Sequence, residues 1–250
     1  MKKYDLIVGM GCSFMEGGGL DDIEIYSYIN KLDKPITISE LDIARNFKSE
    51  NNFIAYLAKL YNCEFINFAE SKAPNEYIFL KVFEYFEKTN NDKKILFVGQ
   101  LSLFNRIYVY YENTKQYYKL KDLEFHLPPY NNEKKYEKLK EFYTNFLSYI
   151  YQEELEYKKT YRNVETISTW LKDKGIDCVW MAFDGTPDKF TQSQHFIKFD
   201  GDNLGAYITK NKFRLCDIPE LKTGDRHISI EGHKILSKKL YQHIEKNYND

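Results

Sequence analysis

Three side chains, far apart in the chain, have the types that acyl-transfer chemistry requires. Ser13 stands in DLIVGMGCSFMEGGGL, Asp5 to Leu20, where an apolar run meets Gly-x-Gly and passes through Cys12 and Ser13 into more glycines. Near the other end, GDRHISIEGH holds Asp225 two residues before His227. A serine hydroxyl is a weak nucleophile until a base takes its proton, and an imidazole is the better base when a carboxylate fixes its tautomer. Taken alone, the glycine stretch reads as a turn with Ser13 as a helix N-cap. The Asp–x–His tail supplies the two missing residue types.

Three other readings of the glycine stretch fail on residue identity. A dinucleotide fingerprint counted from Gly9 needs glycine where Phe14 stands, and no Gly-Lys-Ser/Thr follows to make a Walker loop. The α/β-hydrolase elbow needs glycine two residues past the serine, where the chain has Met15.

The elements that must position these residues follow from hydrophobic periodicity. YDLIVGMG, CEFINFA, KKILFVGQLS and IDCVWMAF read as strands buried on both faces. The stretch up to about Asn46 reads as irregular. SENNFIAYLAKLYN then predicts a helix capped by Ser49, and NEYIFLKVFEYFEKTN predicts another. RIYVYYENTKQYYKL resembles a hairpin turning at Glu112–Asn113; its aromatic residues suit either a half-buried hairpin or stacking on sugars. Leu139, Phe142, Phe146, Ile150, Val164, Ile167 and Leu171 recur at helical spacing, with a break expected near Tyr157–Thr160 and an end at Gly175. A closing helix follows His227. Alternating strands and helices predict one α/β domain, a doubly wound parallel sheet over residues 1–250, with insertions near 105–135 and 186–222.

Composition excludes several classes. The formal net charge is −1 over 250 residues, which gives no general grip on nucleic acid or an anionic membrane. No apolar run reaches the roughly 20 residues of a membrane span, and MKKYDLIVGMG reads as a first strand rather than a signal peptide. Cys12, Cys63, Cys178 and Cys216 are scattered without a CxxC pair, so a zinc site or disulfide framework is not indicated and the expectation is reduced thiols in the cytoplasm. No cofactor or metal is called for. His126, His195 and His243 have no acidic or cysteine neighbours at ligand spacing and read as surface or loop histidines.

Taken together, these stretches resemble the SGNH/GDSL hydrolases. GCSF resembles the family's first block, INFAESKAPN its second, GQLSLFNR its third and DRHISIEGHKIL its last, an order that spans nearly the whole chain. The resemblance implies an SGNH-hydrolase-like, flavodoxin-like three-layer α/β/α fold. It also implies a serine esterase with Ser13 as nucleophile, His227 as general base and Asp225 as its orienting carboxylate. The departures are specific. The second-block glycine aligns with Lys72, whose backbone N–H would then join the oxyanion hole. The third-block Asn position holds Leu101, so the side-chain donor would come from Gln100, Ser102 or Asn105. Ile228 replaces the proline after the histidine.

Several residues keep two readings. Arg106, beside the third block, is suited to clamp an anionic substrate group or to stand as a solvated strand-end arginine. Asp184 reads as a turn residue or as a partner for substrate or His227. His233 reads as structural, and Cys12 as a small residue packed beneath the turn. The expected activity is hydrolysis of an ester of a carbohydrate or small metabolite through an acyl-enzyme. The alternative is a non-catalytic ligand- or protein-binding module on the same fold.

Overall fold

The computed structural model describes residues 3–22, 27, 30, 41–89, 92–104, 106–111, 116–120, 137, 141, 142, 144–146, 152–183 and 195–248. The described strands are β1 (Leu6–Met10), β2 (Glu64–Asn67), β3 (Ile95–Leu101), β4 (Ile107–Tyr111), β5 (Gln116–Leu120) and β6 (Asp177–Ala182). The helices are α1 (Ser13–Glu16), α2 (Leu41–Glu50), α3 (Phe53–Tyr61), α4 (Asn75–Lys88), α5 (Glu153–Asp173), α6 (Leu204–Lys210) and α7 (Ile230–Asn247).

The fold is α/β. Four strands form one parallel sheet in the order β2-β1-β3-β6, with Val8 beside Ile66 on one side and Phe97 on the other, and Val98 beside Val179. Every residue of β1 and β3 is buried, as strands covered on both faces require. One face carries Val8, Met10, Phe97 and Trp180 against Val82 and Phe86 of α4 and Val164, Ile167 and Leu171 of α5. The other carries Ile7, Val98, Val179 and Met181 against Ile54 and Leu57 of α3 and Leu236, Leu240 and Ile244 of α7. Strands β4 and β5 pair antiparallel from Ile107–Leu120 to Tyr111–Gln116, the expected hairpin; residues 112–115, with its expected turn, lie outside the described residues.

Three local expectations are corrected. Helix α3 is capped by Asn52, not Ser49: Asn52 Oδ1 accepts from the N–H groups of Ile54 and Ala55 at 3.1 and 3.0 Å, while Ser49 lies inside α2. The stretch before Asn46 is not wholly irregular, since α2 begins at Leu41 and buries Ala44. Helix α5 runs unbroken through Tyr157–Thr160, because those two residues lie one turn apart and both face inward, Tyr157 with its ring 4.2 Å from Phe104. At its other end α5 stops as expected: the Gly175 and Ile176 N–H groups donate to Lys172 O and Leu171 O at 2.9 and 3.0 Å.

Residues 195–197 add a short parallel pairing on the outer side of β6. Trp180 N–H donates to His195 O at 2.7 Å, and Ile197 N–H donates to Trp180 O at 2.8 Å. Among the described residues, no helix is long and apolar enough to cross a membrane. The chain leaves β1 for β2 on one side and returns to β3 on the other. The loops after β1 and β3 therefore diverge, and that carboxyl-end crevice is where open α/β sheets take ligands.

Candidate active site

Ser13 enters this crevice directly from β1. The chain turns through Gly11 and Cys12, with Cys12 extended (φ −103°, ψ −167°) as the N-cap and Ser13 the first residue of α1. Ser13 is thus inside the turn rather than its cap, and it is buried. Its carbonyl accepts the Gly17 and Gly18 N–H groups at 3.1 and 2.7 Å, which curls the glycine run back over the serine.

Asp225 and His227 are fixed by a short antiparallel pairing with residues 213–216. Leu215 N–H donates to His227 O and Cys216 N–H to Asp225 O, both at 2.8 Å, and Ser229 N–H donates to Phe213 O at 2.7 Å. Ser229 Oγ then caps α7 by accepting the Gly232 N–H at 3.2 Å. Within this frame Asp225 Oδ1 lies 2.7 Å from His227 Nδ1 and accepts the His227 backbone N–H at 2.8 Å. Partial burial pushes the Asp225 carboxyl up, but the ring and backbone hydrogen bonds from His227, with its charge, outweigh burial and hold it below its ordinary value.

The pair is seated on the glycine run. A Cβ on Gly18 would lie 2.8 Å from His227 Cδ2 and 2.9 Å from Nε2; one on Gly19, whose φ is +82°, would lie 2.5 Å from Asp225 Oδ2. The Phe14 ring packs 5.2 Å from the imidazole and 4.2 Å from Phe183, holding His227 from another side. The structure therefore brings Ser13, Asp225 and His227 into one place. Ser13 shares its neighbours Phe14 and Gly18 with the imidazole, although no hydrogen bond joins Ser13 to His227 among the described residues. Sequence reasoning missed this use of Gly18 and Gly19; the signal was three consecutive glycines close behind the serine. Lys48 pins the same turn through Glu16 and Asp21, both at 2.9 Å. Burial works to lower the Lys48 pKa, and the two carboxylates more than reverse it.

The second block lies alongside. Phe68 and Glu70 donate their N–H groups to Gly9 O and Gly11 O at 2.8 and 3.0 Å, and Asn67 Nδ2 donates to Met15 O at 3.0 Å. Lys72 has φ +66°, so this lysine takes a left-handed backbone of the kind that favours glycine.

At the end of β3, Gln100 is fully buried, and its Nε2 donates to Cys12 Sγ at 3.2 Å while its Oε1 has no hydrogen-bond partner. Cys12 is thus packed beneath the turn, as expected. Leu101 points into the core on the α4–α5 face. Ser102 is also fully buried: its N–H donates to Asn75 Oδ1 at 2.7 Å, and its Oγ accepts from an Arg106 guanidinium nitrogen at 2.6 Å. Arg106 is buried rather than a solvated strand end. Asn105, Asp184 and His126 lie outside the described residues.

His233 is fully buried on α7 with neither ring nitrogen hydrogen-bonded, its ring 5.7 Å from Phe53. Burial, with the nearby His227 charge, pushes it down to about 3, so it is neutral and structural. His195 stands in a turn, while His243 is corrected from a surface or loop position to a place within α7; both are partly buried, and burial lowers both pKa values. His195 Nδ1 lies 3.9 Å from Cys178 Sγ. Among the described residues, no group of three His, Cys, Asp or Glu side chains is placed to hold a metal ion.

No protein-family model matches the sequence, and no curated protein matches it. Solved structures similar to this chain include a psychrotrophic esterase from Pseudoalteromonas sp., at 11% identity and TM-score 0.46 over 98% of this chain and 100% of that one. An α/β hydrolase enzyme from the metagenome of Lake Arreo is similar at 10% identity and TM-score 0.48, over 96% and 95% of the two chains. A protein from Veillonella parvula is similar at 10% identity and TM-score 0.41, over 95% and 96%. That protein is a member of the lipolytic G-D-S-L family.

Proposed function

We propose that the protein is a serine ester hydrolase of the SGNH type, acting on an acyl ester of a carbohydrate or small metabolite. The observation that carries this reading is the bonded Asp225–His227 pair seated on Gly18 beside Ser13. With Nδ1–H engaged by Asp225, His227 Nε2 is left to take the Ser13 proton as Oγ attacks the ester carbonyl. The oxyanion is met by the Ser13 and Lys72 backbone N–H groups and by one donor from Gln100, Ser102 or Asn105. His227 returns the proton to the leaving alcohol, and water then attacks the acyl-enzyme with the same imidazole as base. Asp225 stays ionised throughout, as its depressed pKa favours.

A second reading is a non-catalytic ligand- or protein-binding module on the same fold. It is favoured by Leu101, which stands in the core where the family has a side-chain oxyanion donor. A fluorophosphonate probe separates the two. The hydrolase reading expects covalent labelling of the parent protein, and loss of labelling in folded Ser13→Ala and His227→Ala. Absence of labelling in the parent, or equal labelling of Ser13→Ala, sinks it in favour of the binding module.

A further inference from the structure

Arg106 is 6% exposed, so its guanidinium is held out of water. One of its terminal nitrogens donates to Ser102 Oγ at 2.6 Å, its Nε is buried without a hydrogen-bond partner, and no carboxylate pairs with it among the described residues. A guanidinium stays charged at any ordinary pH and carries five donors in a planar fork. A buried cation that uses a single neutral acceptor is poorly compensated and is expensive to maintain. An oxyanion arriving on the donors that no described residue engages would satisfy both the charge and the buried Nε.

Its place in the fold says where that anion comes from. Ser102 directly follows β3, and Gln100, two residues earlier, touches Gly11 and Cys12 of the turn that presents Ser13. Two residues of extended chain span about 7 Å. The guanidinium is therefore bound to a residue at the same carboxyl edge of the sheet that presents Ser13. We propose that Arg106 is the anchor for an anionic group on the substrate, so that the preferred ester carries a carboxylate or a phosphate on its acyl or alcohol part. This rests on the hydrolase reading for the word substrate, but the anion site itself does not.

The test uses binding and turnover side by side. Thermal unfolding of the parent, Arg106→Gln and Arg106→Lys is followed in succinate, in inorganic phosphate, and in chloride at matched ionic strength. Succinate or phosphate should raise the Tm of the parent but not that of Arg106→Gln, and Arg106→Gln should be the more stable of the two in chloride, since it removes a charge without a counter-charge. Which of the two anions acts tells carboxylate from phosphate. In turnover, mono-4-nitrophenyl succinate should exceed 4-nitrophenyl acetate in kcat/KM by about 10- to 100-fold for the parent, a ratio that collapses in Arg106→Gln and is partly kept in Arg106→Lys. Equal anion effects on the parent and Arg106→Gln, or no anion effect on the parent, overturn the proposal even if the probe labels Ser13. A parent that the probe does not label, yet whose anion-induced Tm rise depends on Arg106, keeps the anion site and removes the hydrolase.

Discussion

Gly18→Ala is the sharpest perturbation of the proposed site, because it adds one methyl group and removes nothing. The new Cβ would lie 2.8 Å from His227 Cδ2 and 2.9 Å from Nε2, and 3.1 Å from Ser13 O, whereas ordinary contact begins near 3.4 Å. The imidazole must retreat by about half an ångström, or the turn must open by as much; displacing packed groups in this way costs about 1–3 kcal/mol when they cannot yield. His227 is tied by Asp225 Oδ1 at 2.7 and 2.8 Å, so retreat strains those bonds or tilts Nε2 away from Ser13. Misplacement of a reacting group by 1 Å can cost about 100-fold, and half of that displacement about ten-fold or more. The expected result is a fall of at least about ten-fold in the fluorophosphonate labelling rate, with a cooperative unfolding transition retained. Gly18 does not have a positive φ, so backbone strain does not confuse the outcome. Gly224→Ala is the matched control, since its Cβ would meet nothing within 4 Å, and it should label as the parent does. Gly19→Ala should lose both labelling and stability, because it adds a left-handed backbone at φ +82° to a 2.5 Å approach on Asp225. If Gly18→Ala labels at the parental rate with unchanged Tm, the seat of His227 on this glycine does not govern Ser13, and the proposed base is wrong.

Two further outcomes follow from buried or strained groups. His233, pushed down to about 3 by burial, takes up its proton in the unfolded chain before the folded one. Its contribution is therefore intact above an unfolded pKa near 6.5 and lost as pH falls from there towards 3, by about 1.4 kcal/mol per pH unit. Urea unfolding at pH 7, 6 and 5 should show stability falling more steeply at each step towards that slope, and the fall reduced in His233→Leu; an unaltered fall in the variant rules out His233 as its source. At Lys72, the left-handed φ of +66° costs an L-residue about 1 kcal/mol, so Lys72→Gly should gain up to about that much in urea unfolding, less the greater freedom of glycine in the unfolded chain. A loss of stability there means that the lysine side chain itself holds the loop.

How legible the fold was in the sequence depended on how local its causes are. The runs LIVGM and ILFVGQL could be read as strands because a parallel strand covered on both faces needs no polar alternation, and only a buried strand tolerates so little polarity. Gly175 ends α5 for reasons contained within five residues, and it too was legible. Asn52 was missed because Ser49, Asn51 and Asn52 all have capping side chains, and the choice was made by α2, which is polar on average and runs through Ser49 to Glu50. The break expected near Tyr157–Thr160 failed because burial of that pair, with Tyr157 against Phe104, keeps the helix whole, a contact that no local pattern shows. The pairing of 195–197 with β6 is too short to have a period at all.

The site divides along the same line. The candidates Ser13, Asp225 and His227 could be picked out because their types and immediate neighbours are unusual, but the close approach of Gly18 and Gly19 to the pair could not, since it joins opposite ends of the chain. Two departures that look alike in sequence differ physically. Lys72 in place of glycine is a demand on the backbone, and the backbone meets it with φ +66°. Leu101, which the resemblance aligns with asparagine, faces the core and offers no donor, so on the proposed reading that role falls to Gln100, Ser102 or Asn105. Loss of one such donor typically costs about two to three orders of magnitude in turnover. On the proposed reading, a replacement donor that is less well aimed leaves more of the rate to be drawn from holding the substrate in place, and binding energy at a group remote from the scissile bond can serve that end. Arg106, buried and with its guanidinium hydrogen-bonded to Ser102 alone among the described residues, is where such energy would be applied. A neutral acetate ester gives it nothing to hold, and should be a poor substrate for that reason.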